Sequence, residues 1–231
     1  MGLIFFTKLL MTKYRFIYPA TIACIHFTTT AGGLWGARQL GAFEGFDLHF
    51  KYVAALAVVG SVSVATATFS LMLNSVTTYQ IAKLLLAPGI ALIEAYWLGR
   101  QFTVQVFISL AFVLAGVVLF ILGTPALTAS GVAVAAAFVL SSTLQQVMVW
   151  SYQARFKIEA HQLLAKVAPV QALLLLLLGP LVDKLAVAQW LTQWEVNVPG
   201  VETLLITCAL ALLANYSQYL FLVRGSAWEC A

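Results

Sequence analysis

The 231 residues are 62% hydrophobic and only 9% charged, with a mean hydropathy of +0.97 and a formal net charge of +4. Soluble domains carry about 25% charged residues, so the composition excludes an ordinary soluble domain and describes a chain that partners with a lipid bilayer. The positive balance does not indicate nucleic acid, because Lys and Arg stand singly in short connections rather than in a basic stripe.

Apolar runs broken by charged or Gly/Pro-rich connections predict a short helix at Gly2–Met11, too short to span. Full spans follow at Ile17–Ala37, Tyr52–Leu73, Thr77–Leu98, Val104–Leu122, Leu127–Gln153, Gln162–Val182 and Thr203–Val223. The expected fold is all-α, a polytopic membrane helix bundle of seven spans and one partial helix. A transmembrane β-barrel is excluded, since Val132–Leu140 and Leu173–Leu178 are continuous apolar runs without alternation. The start MGLIFFTKLL has no cleavage region and no Ser or Thr at position 6, which argues against a signal peptide and against myristoylation.

In the second helix His26 reads as packing, and Ala31-Gly32-Gly33 with Gly36 permit close backbone approach. If the connections 38–51, 99–103 and 155–160 share one side, that side collects Arg38, Lys51, Arg100, Arg155 and Lys157, while Asp183–Glu202 opposite is net acidic. The first side is then expected to be cytosolic, with Lys13–Arg15 as the exception.

Lys83 lies in the middle of Thr77–Leu98, a span whose one other charge is Glu94. An intramembrane charge costs several kcal/mol, so it ordinarily faces a cavity and serves a pathway or ligand. Tyr79 and Gln80 precede it by four and three residues and can share its helical face, and Pro88 can open a kink. The competing reading has Lys83 paired with Glu94 or a backbone carbonyl to hold helices together. Lys166, one turn inside its helix, can serve a cavity or snorkel to the interface, and Lys8 poses the same choice. Ser142, Gln145, Gln146 and Ser151 form one polar band, and Asn215, Ser217, Gln218 and Tyr219 another. Taken singly such side chains are ordinarily interhelical contacts, but together they suit a polar cavity. Lys83, Tyr79, Gln80, Lys166, Gln146, Asn215 and Tyr219 are the candidate substrate-binding residues.

No HExxH, GxSxG or Walker loop is present, nor a close pair of intramembrane acids, so catalysis is not expected. No cofactor motif or metal-ligand spacing appears, and Cys24, Cys208 and Cys230 read as packing residues. The sequon Asn215-Tyr216-Ser217 lies inside an apolar span. A weak internal repeat aligns Ala67, Phe69 and Ser70 with Ala214, Tyr216 and Ser217, each stretch being expected to close a helix and enter a turn.

The segments TTYQIAKLLLAPGIALIEAYWLGRQFT, SSTLQQVMVWSYQARFKIEAHQLLAKVAPVQALLLLLLGPLVD and ALLANYSQYLFLVRGSA resemble nucleotide-sugar transporters of the drug/metabolite transporter superfamily. The likeness is to the plant Golgi carriers of UDP-rhamnose, UDP-galactose and UDP-xylose, within the triose-phosphate translocator group. It covers most of Thr7 to Ala227, and the SSTLQQ…LLAKVAP…GP stretch is specific to it. It implies ten helices in two inverted repeats and a secondary antiporter exchanging a nucleotide sugar, in particular a UDP-sugar, for a nucleoside monophosphate across an endomembrane. Within that frame residues 1–123 form the first repeat, a partial helix 1 plus helices 2–5, and 124–231 a truncated second repeat of helices 6–8 only. The Golgi membrane is the expected location. A plastid-envelope sugar-phosphate translocator and a non-transporting fragment are the alternatives, and a homodimer is left open. The family's Asn-Lys near the end of the first helix is here Thr7-Lys8, and its Gly-His-x-Lys-Thr sequence has no match.

Overall fold

The computed structural model describes residues 2–97, 99, 101–123 and 128–227. Its helices are α1 (Gly2–Thr12), α2 (Pro19–Gln39), α3 (Phe50–Leu73), α4 (Val76–Leu84), α5 (Leu86–Trp97), α6 (Val104–Leu122), α7 (Ala129–Phe156), α8 (Ala160–Val187) and α9 (Val198–Ala227). A 3₁₀ turn at Leu191–Gln193 joins the last two. There is no strand among the described residues. The helix ends follow from local chemistry. Ser75 accepts from the Thr78 amide at the start of α4, Thr128 accepts from Gly131 at the start of α7, and Glu159 with Gln162 forms a capping box at the start of α8.

Among the described residues, six stretches are long and apolar enough to cross a bilayer: Phe50–Leu73, Val76–Trp97, Val104–Leu122, Ala129–Phe156, Ala160–Lys184 and Val198–Leu220. The expected seventh, α2, has the length at 21 residues but carries His26, Thr28, Thr29, Thr30 and Arg38. It packs against α8, α3 and α9. A helix enclosed by other helices can carry polar groups that a lipid-facing one cannot. The peripheral α6 is the opposite case, turning Phe107, Phe112, Leu119 and Leu122 outward.

The span expected at Thr77–Leu98 is broken at Leu85 into α4 and α5. Pro88 explains the break, because it has no N–H for the carbonyl of Leu84 and its ring crowds that group. Helices α3 and α7 run antiparallel in one register over their whole length. Asn74 Nδ2 donates to the Gly131 carbonyl at 3.0 Å, Ser63 Oγ and Ser142 Oγ are 2.7 Å apart, and Gly60 faces Gln145.

At one end of the bundle a core of Leu34, Val53, Leu56, Val149, Leu163 and Leu164 is closed over by the α2–α3 connection. Gln162 Nε2 reaches the Glu44 carbonyl at 3.3 Å, Lys166 Nζ lies 3.5 Å from Asp47, and the rings of Phe43 and His161 are 4.7 Å apart. The connections carrying Arg38, Lys51, Arg155 and Lys157 therefore meet at this end. At the other end Trp194 Nε1 donates to the Tyr14 carbonyl at 3.1 Å and the Tyr18 hydroxyl to that of Trp190 at 2.8 Å. This places Lys13–Arg15 beside the α8–α9 connection.

Two charges assigned to connections or helix ends prove to be helix caps supplied by other helices. Asp183, read as part of an acidic connection, lies inside α8 and is 2% exposed. Its carboxylate accepts from the amides of Ala20 and Thr21, both at 2.8 Å, and from the Thr21 hydroxyl at 2.7 Å. Lys8 Nζ donates to the carbonyls of Leu71, Met72 and Asn74 at 2.7, 3.0 and 2.8 Å, satisfying the end of α3.

The turn expected in the second copy of the repeat is absent, since α9 runs unbroken to Ala227. Asn74 and Ser75 stop α3 and start α4, whereas their counterparts in that register, Phe221 and Leu222, are residues with no capping oxygen. Cys24 and Cys208 are buried free thiols, and Cys230 lies outside the described residues.

Candidate functional site

Helices α1, α2, α3, α4, α7 and α9 enclose a cavity of about 480 Å³, within the range of about 300–1,000 Å³ usual for small-molecule sites. Lys83, in the last turn of α4 just before the break at Leu85, lines its wall. The lysine Nζ stands 5.3 Å from the ring centroid of Tyr79, one turn earlier. Tyr79 is itself stacked on Phe138 of α7, with ring centroids 5.1 Å apart and planes 17° from parallel. The two rings give the ammonium a firm floor, and the carbonyl end of α4 favours positive charge there.

The rest of the wall is uncharged, with apolar side chains such as Leu3, Ile4, Val64 and Leu71 interspersed with neutral polar groups. It includes Thr7, His26, Ser63, Thr68, Ser142, Gln145, Gln146, Asn215 and Gln218. Several of these are held by their own bonds: His26 Nε2 lies 3.0 Å from Thr207 Oγ1, and Asn215 Nδ2 donates to Thr30 Oγ1 at 3.0 Å. No carboxylate lines the cavity among the described residues, and no group of acids, histidines and cysteines there could hold a metal. A cation without an acidic neighbour in a low-dielectric hollow can attract an anion by simple electrostatics.

Of the seven candidate residues, the structure brings Lys83, Tyr79, Gln146 and Asn215 together on this wall. Gln80 is not among the lining residues, because the stack on Phe138 points the Tyr79–Lys83 edge of α4 inward and turns position 80 aside. Lys166 is directed to Asp47 at the closed end. Tyr219 is 2% exposed within the core that closes that end. Sequence reasoning missed Thr7, Ser63 and Thr68 and read His26 as packing only. Their signal was a run of hydroxyl residues at positions 61, 63, 66 and 68 inside an otherwise apolar span, which periodicity alone does not single out.

Fold and cavity together define a multi-pass α-helical membrane protein with an interior hollow of mixed apolar and polar lining and a cation on its wall. The chain is similar to nucleotide-sugar transporters along nearly its whole length. It is 33% identical over 230 residues to UDP-rhamnose/UDP-galactose transporter 1 of Arabidopsis thaliana, covering 98% of this chain and 66% of that protein. UDP-xylose transporter 1 of the same plant is 26% identical over 219 residues, 95% of this chain and 64% of the relative. The chain thus spans about two thirds of the length of the curated relatives it matches. No protein-family model matches it.

Proposed function

We propose that the protein is a secondary transporter that binds a UDP-sugar in the cavity, with its phosphates at Lys83, and exchanges it for a nucleoside monophosphate. The observation that carries the reading is the Lys83 ammonium on the wall of a hollow that no described carboxylate enters. A nucleotide sugar presents anionic phosphates, a flat base and neutral hydroxyls. Lys83, the Tyr79–Phe138 stack and the amides and hydroxyls of α3, α7 and α9 are the matching chemistry. The substrates of these relatives, UDP-rhamnose, UDP-galactose and UDP-xylose, support the nucleotide. In this reading the two repeats rock about the cavity to give alternating access, and the membrane is that of the Golgi. No catalytic step is involved.

The test is uptake of labelled UDP-galactose into proteoliposomes. Vesicles loaded with UMP take up label well above empty vesicles, and Lys83→Ala abolishes the difference while the protein still inserts and melts normally. Equal uptake by loaded and empty vesicles refutes exchange, and undiminished uptake by Lys83→Ala refutes the role of the lysine.

A further inference from the structure

Next to the cavity lies a set of buried polar groups that the phosphate reading does not use. Gln171 of α8 is 0% exposed, and among the described residues neither its Nε2 nor its Oε1 has a hydrogen-bond partner. A buried amide without partners is costly, because its donors and its acceptor have all left water. Space for it is made by Gly60 of α3, where a side-chain carbon would collide with the Gln171 amide and come within 3.1 Å of Gln145 Nε2. The hydroxyl of Ser61, the next residue, is also buried and unpartnered. Gln145 joins this set to the cavity, since it lines the hollow and its amide meets Gly60 beside that of Gln171.

The position along the bundle is informative. Phe138 marks the level of Lys83, through the stacked Tyr79. Gln145 lies seven residues further along α7, about 10.5 Å at the rise of an α-helix. That is the scale on which a nucleoside 5′-phosphate separates its phosphate from the far edge of its base. An amide offers one donor beside one acceptor, the complement of a base edge that carries an acceptor beside a donor.

We propose that Gln171 and Gln145 form the base-reading end of the cavity, hydrogen-bonding the donor-and-acceptor edge of a pyrimidine base while Lys83 holds the phosphate. The proposal rests on the preceding reading for the phosphate end and adds a second anchor, so the ligand lies along α7. Among the described residues Gln171 has no partner and is held ready for one. Gln145 is the element that must move for a base to reach it.

The experiment measures the affinities of UMP and of ribose 5-phosphate, which lacks the base, for the protein in lipid nanodiscs, together with its melting temperature. The wild type binds UMP more tightly than ribose 5-phosphate. Gln171→Met, which keeps the length of the side chain, lowers that ratio by at least about ten-fold and raises the melting temperature of the empty protein, since it removes an unpartnered buried amide. Gln171→Glu, which keeps shape but loses the donors, lowers the ratio in the same way. An unchanged ratio in Gln171→Met overturns the proposal, as does a wild type that binds both probes equally. A fall in melting temperature or failure to fold in Gln171→Met also overturns it, because the amide then has a structural partner. Lys83→Ala separates the two readings: if it leaves both affinities unchanged, the phosphate assignment falls, while the ratio lost in Gln171→Met still locates the base.

Discussion

Replacing Asp183 by Asn tests how the bundle is tied together at the end away from the closed core. The first four helical positions of α2 leave no amide unpaired. Pro19 has none, Ala20 and Thr21 donate to the two oxygens of Asp183, and Ile22 donates to the Tyr18 carbonyl at 2.9 Å. Asp183→Asn keeps the shape but replaces one acceptor oxygen with a donor, so one buried amide of α2 faces another N–H. Leaving a buried donor unsatisfied costs about 1–3 kcal/mol, and losing the negative charge at a helix N-terminus adds about 0.5–2 kcal/mol. The expected loss is about 1.5–5 kcal/mol, which for a chain of this size lowers the melting temperature by about 3–20 °C. Tryptophan fluorescence during thermal unfolding in detergent reads the change directly, because Trp190 and Trp194 sit at the same end. A variant that melts within about 1 °C of the wild type would refute the capping argument.

Further outcomes follow from other contacts. Lys8→Met removes three bonds to the end of α3 and is expected to cost about 1–3 kcal/mol of stability while leaving the preference for phosphate-bearing ligands unchanged. Loss of phosphate preference with an unaltered melting curve would instead make Lys8 a ligand. Gly60→Ala forces the Gln171 amide aside in a fully buried site and should destabilise by about 1–3 kcal/mol in the same melting assay. Tyr79→Leu removes the stack on Phe138 and the ring beneath Lys83, lowering UMP affinity by about three- to ten-fold in calorimetry, whereas Tyr79→Phe keeps both rings and most of the affinity. Ser75→Ala deletes the cap of α4 and should lower stability by about 1 kcal/mol.

The helices were legible in the sequence because length and hydropathy are properties of single segments. The break at Leu85 was legible too, since Pro88 dictates it locally. What escaped were relations between segments. Asp183 reads as a loop acid until α2 is laid against α8 and two bare amides meet its carboxylate. Lys8 reads as an interfacial lysine until α1 is placed beside the end of α3. The same holds at the site. Lys83 stood out because a lone charge in an apolar span is costly wherever it lies. Ser63 and Thr68 cost little in any helix, because a hydroxyl can return its proton to its own backbone, as Thr68 Oγ1 does to the Val64 carbonyl at 2.7 Å. Gln171 is invisible for a further reason: it stands within the span Gln162–Val182, which hydropathy treats as one apolar run.

The central claim is that one ammonium group selects the phosphates of a nucleotide. Isothermal titration of UDP and of uridine into wild-type protein and into Lys83→Gln, a neutral variant of similar length, tests it most directly. A charge-assisted contact of about 1.5–3 kcal/mol predicts that the wild type favours UDP by about 10- to 150-fold and that Lys83→Gln loses this preference. A preference for UDP that survives intact in Lys83→Gln would contradict the account.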